Sequence, residues 1–171
     1  MNSQERLYQE ATRTFGAALE RLVRAYEADP DKRLDLLQDI HLALWLSFDK
    51  YEARCSLRTW VYRVAHNTAT SHVIRQHRTN SRVLLSLEQI EAMPDSTDAV
   101  RNNDARIALD RLLELIQQLK PLERDVMLLY LEDLDAAAIA EITGISPGNV
   151  RVQIHRIKAI LARRFREGGS L

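Results

Sequence analysis

A single cysteine, Cys55, in 171 residues rules out an internal disulfide and cannot build a zinc site alone. Glycine and proline are scarce, at 5 and 4 residues, and no long alternation of apolar and polar residues argues for strands. Apolar runs are short, Val126 to Leu131 being typical, and none approaches the roughly 20 residues needed to span a bilayer. The first residues, Met1 to Glu10, are polar and show no apolar segment ahead of a cleavage site, so a cytoplasmic protein is expected. A phosphate-binding glycine loop is missing, and His41, His66, His72, His77 and His155 form no metal-ligand spacing with a carboxylate. The chain therefore reads as a non-enzyme without cofactor, metal or small-molecule substrate. Its hydrophobic content of 46% is ordinary for a chain with a packed core.

Net charge is also lacking: 24 basic residues balance 24 acidic ones. Resolved by segment, the charge is sorted. Residues 1–50 carry −2, residues 51–82 carry +5, residues 83–104 and 105–146 carry −4 each, and residues 147–171 carry +5. Two compact basic segments separated by acidic ones suit two contacts with a polyanion. Taken alone, they would equally suit two solvated helical faces.

Helical periodicity runs through most of the chain. Leu7, Ala11, Phe15, Ala18, Leu19, Leu22 and Tyr26 mark a first helix over about 4–27, which Asp29-Pro30-Asp31 breaks. Leu36, Leu37, Ile40, Leu44 and Phe48 point a second helix inward, and Ser56 caps a third that runs to about Arg78. Periodicity fades over 80–104, where Ser, Asn and Asp accumulate around Pro94, although Leu84, Leu85, Leu87 and Ile90 could dock. Further helices are expected from about Asp104 with Ile107, Leu109, Leu112, Leu113 and Ile116 inward, from Pro121, over Ala136–Thr143, and over Pro147–Arg166. The expected fold is all-α: two small helical bundles, residues 1–80 and 105–171, joined by a flexible linker over 81–104.

The sharpest local signal lies in Ala136 to Arg156. Ile139 and Ala140 pack a first short helix, Gly144 permits a tight turn, and Ser146-Pro147 starts the next helix. Val150, Ile154, Ile157 and Leu161 then share an inward face. Gly148, Val152, His155, Arg156 and Ala159 lie opposite, with Asn149 and Arg151 at the edges. This is a helix-turn-helix whose second helix fits a major groove. A helical hairpin that binds nothing has the same periodicity; the coincidence of turn, cap and basic second helix favours DNA. Only Asn149, Arg151, His155 and Arg156 offer hydrogen bonds there, so phosphate and shape contacts carry much of the expected recognition.

The front half narrows the class. Asp35-Leu36-Leu37-Gln38-Asp39-Ile40-His41-Leu42-Ala43-Leu44-Trp45 resembles the region 2 signature of the extracytoplasmic-function (ECF) sigma factors of bacterial RNA polymerase. Ser56-Leu57-Arg58-Thr59-Trp60-Val61-Tyr62-Arg63-Val64-Ala65-His66-Asn67 is similar to the helix that follows it in that family. Leu119-Lys120-Pro121-Leu122-Glu123-Arg124, the helix-turn-helix and His155-Arg156 resemble region 4. The likeness spans about residues 5–166 in the family's order, with His41 standing where the family usually has Phe.

The resemblance implies a factor that directs core RNA polymerase to promoters and helps melt them. Asp35, Gln38 and Asp39, one turn apart on an exposed face, would dock on the polymerase clamp. Tyr62, Arg63, His66 and Asn67, facing outward on the third helix with Arg75 and Arg78, would hold the minus-ten strand, since aromatic and amide groups beside arginines suit unstacked bases. Trp45 and Trp60 are assigned to packing. Asn149, Arg151, Val152, His155 and Arg156 would meet the minus-thirty-five duplex. An anti-sigma protein, soluble or membrane-anchored, is the implied inhibitor. A helix-turn-helix regulator, or a sigma-like protein that binds an anti-sigma partner without initiating, remains the alternative.

Overall fold

The computed structural model describes residues 2–79, 83–94 and 105–165. Part of the expected linker, residues 81–82 and 95–104, lies outside the described residues, as does Arg166. Eight helices are present among the described residues: α1 (Ser3–Tyr26), α2 (Pro30–Phe48), α3 (Leu57–Thr79), α4 (Leu87–Ala92), α5 (Ala105–Gln118), α6 (Pro121–Leu131), α7 (Ala136–Thr143) and α8 (Pro147–Phe165). None of these helices is long and apolar enough to cross a membrane.

Short polar side chains start most of them by accepting from backbone N–H groups that the first turn leaves unpaired. Asn2 accepts from Gln4 N, and Asp29 accepts from Asp31 N at 2.9 Å with Pro30 at the first helical position. Asp135 accepts from Ala138 N at 2.8 Å, and Ser146 from Asn149 N at 3.2 Å. Gly144 ends α7 in the left-handed region at φ 79°, where a Cβ would be strained, and its N–H bonds Ala140 O at 2.9 Å.

Helices α1–α3 form the front bundle around Leu19, Leu22, Leu36, Ile40, Leu44, Val61 and Ala65, all nearly or fully buried. Helices α5–α8 form the rear bundle around Ile116, Val126, Met127, Leu129, Ile139, Val150 and Ile157. Each large aliphatic group so buried contributes about 1.5–3 kcal/mol, and these stripes hold each bundle together. Leu109, expected inward on α5, is 45% exposed instead.

Two features depart from a pair of bundles on a free tether. Part of the expected linker is docked: Ser86 and Gln89 form a capping box that starts α4, and Leu87 and Ile90 are fully buried against the rear bundle. Leu85 pairs with Leu119, its N–H bonding Gln118 O at 2.7 Å while Lys120 N bonds Leu85 O at 3.0 Å. The bundles themselves are packed together: α5 lies against α1, and α6 and α7 lie against α3, in one continuous buried cluster.

Candidate nucleic-acid interface

On α8 the inward stripe is formed as its spacing requires, with Val150 and Ile157 buried and Ile154 and Leu161 half-buried. Asn149, Arg151, Val152 and His155 stand exposed on the other side, where a groove could be reached. Val152 is 54% exposed, an apolar contact available to a base edge. Arg156 departs from the expected strip: it is half-buried because Glu88 of α4 draws it into an ion pair. Further along, Arg163 donates to Glu91 O at 2.6 Å, and Arg164 to Pro94 O at 3.3 Å. The basic end of α8 thus satisfies carbonyls at the end of α4.

Asp35, Gln38 and Asp39 are all exposed on α2. Beside them run Leu34 at 62%, Leu42 at 58% and Leu46 at 60% exposure, apolar groups that nothing in the chain covers among the described residues. Leu34, Leu42 and Leu46 are separated by eight and four residues and so share a face, with Gln38 between the first two, while the buried stripe Leu36, Ile40, Leu44 and Phe48 runs at four-residue spacing. The helix thus carries two apolar stripes, one packed on the bundle and one exposed. The sequence reading missed this second stripe and named only Asp35, Gln38 and Asp39 on the exposed face. Trp45, assigned to packing, is 37% exposed and only edges onto Tyr8 at 5.5 Å, whereas Trp60 packs half-buried and donates from Nε1 to Ser47 Oγ at 3.0 Å.

Helix α3 corrects the sequence reading most. Asn67, Arg75 and Arg78 are exposed, but Tyr62 and His66, expected to face outward, are each only 3% exposed. The rear bundle covers them. His66 Nδ1 lies 2.6 Å from the Asp125 carboxylate of α6, which also accepts from Tyr26 Oη and, at 3.5 Å, from Thr70 Oγ1. Arg63 is half-buried because it donates to Glu141 O at 2.8 Å. Arg58 lies 5.8 Å over the Tyr62 ring and donates to Glu132 O at 2.8 Å, while Arg21 grips the Glu132 carboxylate at 2.6 and 2.7 Å.

Burial sets the charge states at this junction. Desolvation holds His66 down to about 3, so its ring is neutral at physiological pH, and pushes the Asp125 carboxyl well up. Arg124, 2% exposed, is lowered by desolvation to about 10 and remains charged. It bonds the carbonyls of Gln117 at 2.6 Å and Leu119 at 2.9 Å and lies 5.0 Å over the Tyr26 ring. Glu27, lowered by its bonds from His72, Asp29 N and Gln76 in spite of burial, completes a second polar cluster beside it. Neither cluster was legible in the sequence, since its members lie 45–99 residues apart.

The comparisons with known proteins agree with this layout. The model of sigma-70 region 2 matches residues 12–79, and that of sigma-70 region 4 matches residues 109–161. The ECF RNA polymerase sigma factor SigW of Bacillus subtilis is 27% identical over 146 residues, covering 78% of this chain and 75% of the relative. The chain belongs to the ECF sigma factors. The ECF RNA polymerase sigma-E factor of Haemophilus influenzae is 26% identical over 138 residues, covering 77% of this sigma factor and 73% of the relative. The fold is shared with two solved structures: CnrH in complex with the cytosolic domain of CnrY, and the sigma factor RpoE with the anti-sigma factor NepR from Bartonella quintana. The first has TM-score 0.67 and 20% identity over 96% of this chain and 91% of that one. The second has TM-score 0.67 and 18% identity over 94% and 97%. As an ECF sigma factor, the chain directs core RNA polymerase to promoters.

Proposed function

We propose that this sigma factor docks on core polymerase through the exposed face of α2, where Asp35, Gln38 and Asp39 alternate with Leu34, Leu42 and Leu46. That face is the observation that carries the reading. It combines a satisfied helix with an uncovered apolar strip, and acidic groups beside such a strip give orientation to an otherwise non-directional contact. The minus-ten strand is assigned to α3, with Tyr62 and His66 as stacking and hydrogen-bonding groups, Arg63, Arg75 and Arg78 for phosphates, and Asn67 for a base edge. The minus-thirty-five duplex is assigned to α8, with Asn149, Arg151, His155 and Arg156 as polar contacts and Val152 as an apolar one.

The bundles correspond to residues 1–80 and 105–171, with 81–104 connecting them. An anti-sigma factor is the proposed inhibitor; the structural neighbour RpoE is in complex with the anti-sigma factor NepR. The factor acts in the cytoplasm, where polymerase and promoter are, and is not itself an enzyme. Core polymerase reconstituted with the chain, pulled down and assayed for promoter-dependent transcripts, tests the docking assignment. Retention on the polymerase that is lost in Asp39→Arg supports it; retention unchanged by that substitution removes α2 from the role.

A further inference from the structure

Helix α4 lies in a segment whose sequence reads as a tether, yet it is fastened to the rear bundle at three places. Leu85 and Leu119 join the two backbones just ahead of it. Leu87 and Ile90, three residues apart on one face, are fully buried. At its end, Arg163 of α8 donates to the carbonyls of Glu91 at 2.6 Å and of Ile90 and Met93 at 3.3 Å, groups that the last turn leaves unpaired. With those points fixed, α4 presents Glu88 to α8, and its carboxylate pairs with Arg156. Both side chains remain partly open to solvent, and an ion pair of that kind adds little to stability. Its effect is on direction.

Arg156 belongs to the open face of α8. Asn149, Val152 and Arg156 follow one another at three and four residues, so they share a line along the helix, and the first two are exposed. The bond to Glu88 is made through Nη1. A guanidinium is a rigid planar fork of N–H donors, so bonding there leaves the edge formed by Nε and Nη2, which has no partner among the described residues. Two parallel donors on one edge match the O6 and N7 acceptors that guanine presents in a major groove. An unrestrained arginine meets a phosphate as readily as a base, and phosphate contacts carry no sequence information. A carboxylate beside the guanidinium fixes its plane and repels the backbone.

We infer that Glu88 is a positioning residue for the minus-thirty-five readout: it holds Arg156 by Nη1 so that the other edge is offered to a guanine of the duplex. Helix α4 is then part of the DNA-reading unit rather than of the connection. The inference rests on the assignment of α8 to that duplex. Glu88 itself touches no base, and its contribution is to discrimination rather than to affinity.

The full chain with core polymerase, offered a promoter library randomised over the minus-thirty-five element, yields the base preference at each position. Arg156→Ala identifies the position whose guanine preference depends on Arg156. There Glu88→Gln should lower the preference for guanine by about fivefold or more, with the other positions unchanged and binding to a scrambled duplex equal or tighter. Glu91→Gln, which takes one charge from the same helix and none from the pair, should select as wild type does. A guanine preference kept in Glu88→Gln overturns the inference, and so does one that rises, since Glu88 then competes for Arg156 instead of presenting it. A loss spread evenly over all positions overturns it too, because that is the mark of a loosened α4. If no guanine preference depends on Arg156, the inference fails at its first step while the sigma-factor reading stands. If the wild-type chain selects no minus-thirty-five sequence, the assignment of α8 falls and the inference with it.

Discussion

Replacing Asp125 by Ala should loosen the junction without unfolding either bundle. The Asp125 carboxyl accepts from Tyr26 and shares a hydrogen bond with His66, which are 5% and 3% exposed, and accepts from the half-buried Thr70 at a longer 3.5 Å. Leaving a buried donor without its acceptor costs about 1–3 kcal/mol each, and two donors are deeply buried here. Part of that is returned, because the substitution also removes a desolvated carboxyl. A net loss of about 2–4 kcal/mol shifts the ratio of closed to open chains by roughly 30-fold to 1,000-fold. The loss is capped by opening itself, since water then satisfies Tyr26 and His66. Dyes on Asp31→Cys and Ala162→Cys, two exposed positions in the front and rear bundles, report the separation by energy transfer in a Cys55→Ser chain. Transfer should fall in Asp125→Ala while helix content holds. In a Tyr26→Phe background the same substitution should cost less, because one donor has gone. Unchanged transfer in Asp125→Ala would show that the junction does not depend on this carboxylate.

Leu87→Ala, at a fully buried position of α4, should cost about 2–5 kcal/mol in docking of that helix, seen as faster amide exchange over residues 87–92 with the front bundle unaffected. Arg151→Ala should weaken binding of a minus-thirty-five duplex by about 1–3 kcal/mol if it contacts a base, measured by fluorescence anisotropy at fixed salt. Closure of Asp125→Asn should weaken in acid. His66, held at about 3 in the closed chain, returns toward its ordinary 6.5 when exposed. A depressed pKa leaves closure complete above 6.5 and erodes it as pH falls, by about 1.4 kcal/mol near pH 5.5. Wild type should respond less over the same range, because the Asp125 carboxyl, pushed up by burial, takes up its own proton in the closed form. Energy transfer across the pH range reads both.

The two bundles were legible because their helices carry strong local signals. Ser56, Pro121 and Ser146-Pro147 start helices, and Gly144 ends one, within a residue or two of the expected places, whereas Asp29-Pro30, read only as a break, caps and starts α2 three residues before the expected residue 33. Helix α4 was missed although Ser86 and Gln89 spell its capping box, because six residues give periodicity little to work on. The outward assignment of Tyr62 and His66 failed for a different reason. Val61, Ala65 and Ala69 mark one buried face of α3, and polar groups elsewhere on the helix normally mean solvent. Here that other face is covered by α6 and α7, and the covering residue Asp125 lies 59 residues from His66. Local patterning cannot show a partner so distant, and the sorted charge was read as contacts with a polyanion rather than as contacts within the chain. The exposed strip Leu34, Leu42 and Leu46 was missed, although its spacing of eight and four residues beside the inward stripe was the signal that could have found it.

The account stands most directly on α2 as the polymerase contact. Core polymerase mixed with the wild-type chain and with Asp39→Arg/Leu42→Glu, followed by binding titration and run-off transcription from a selected promoter, decides it. Wild type should bind and initiate. The double variant, whose changes are both on exposed positions, should keep its helix content and lose about tenfold or more in affinity with a matching loss of transcript. Binding and initiation by the double variant at the wild-type level would contradict the account.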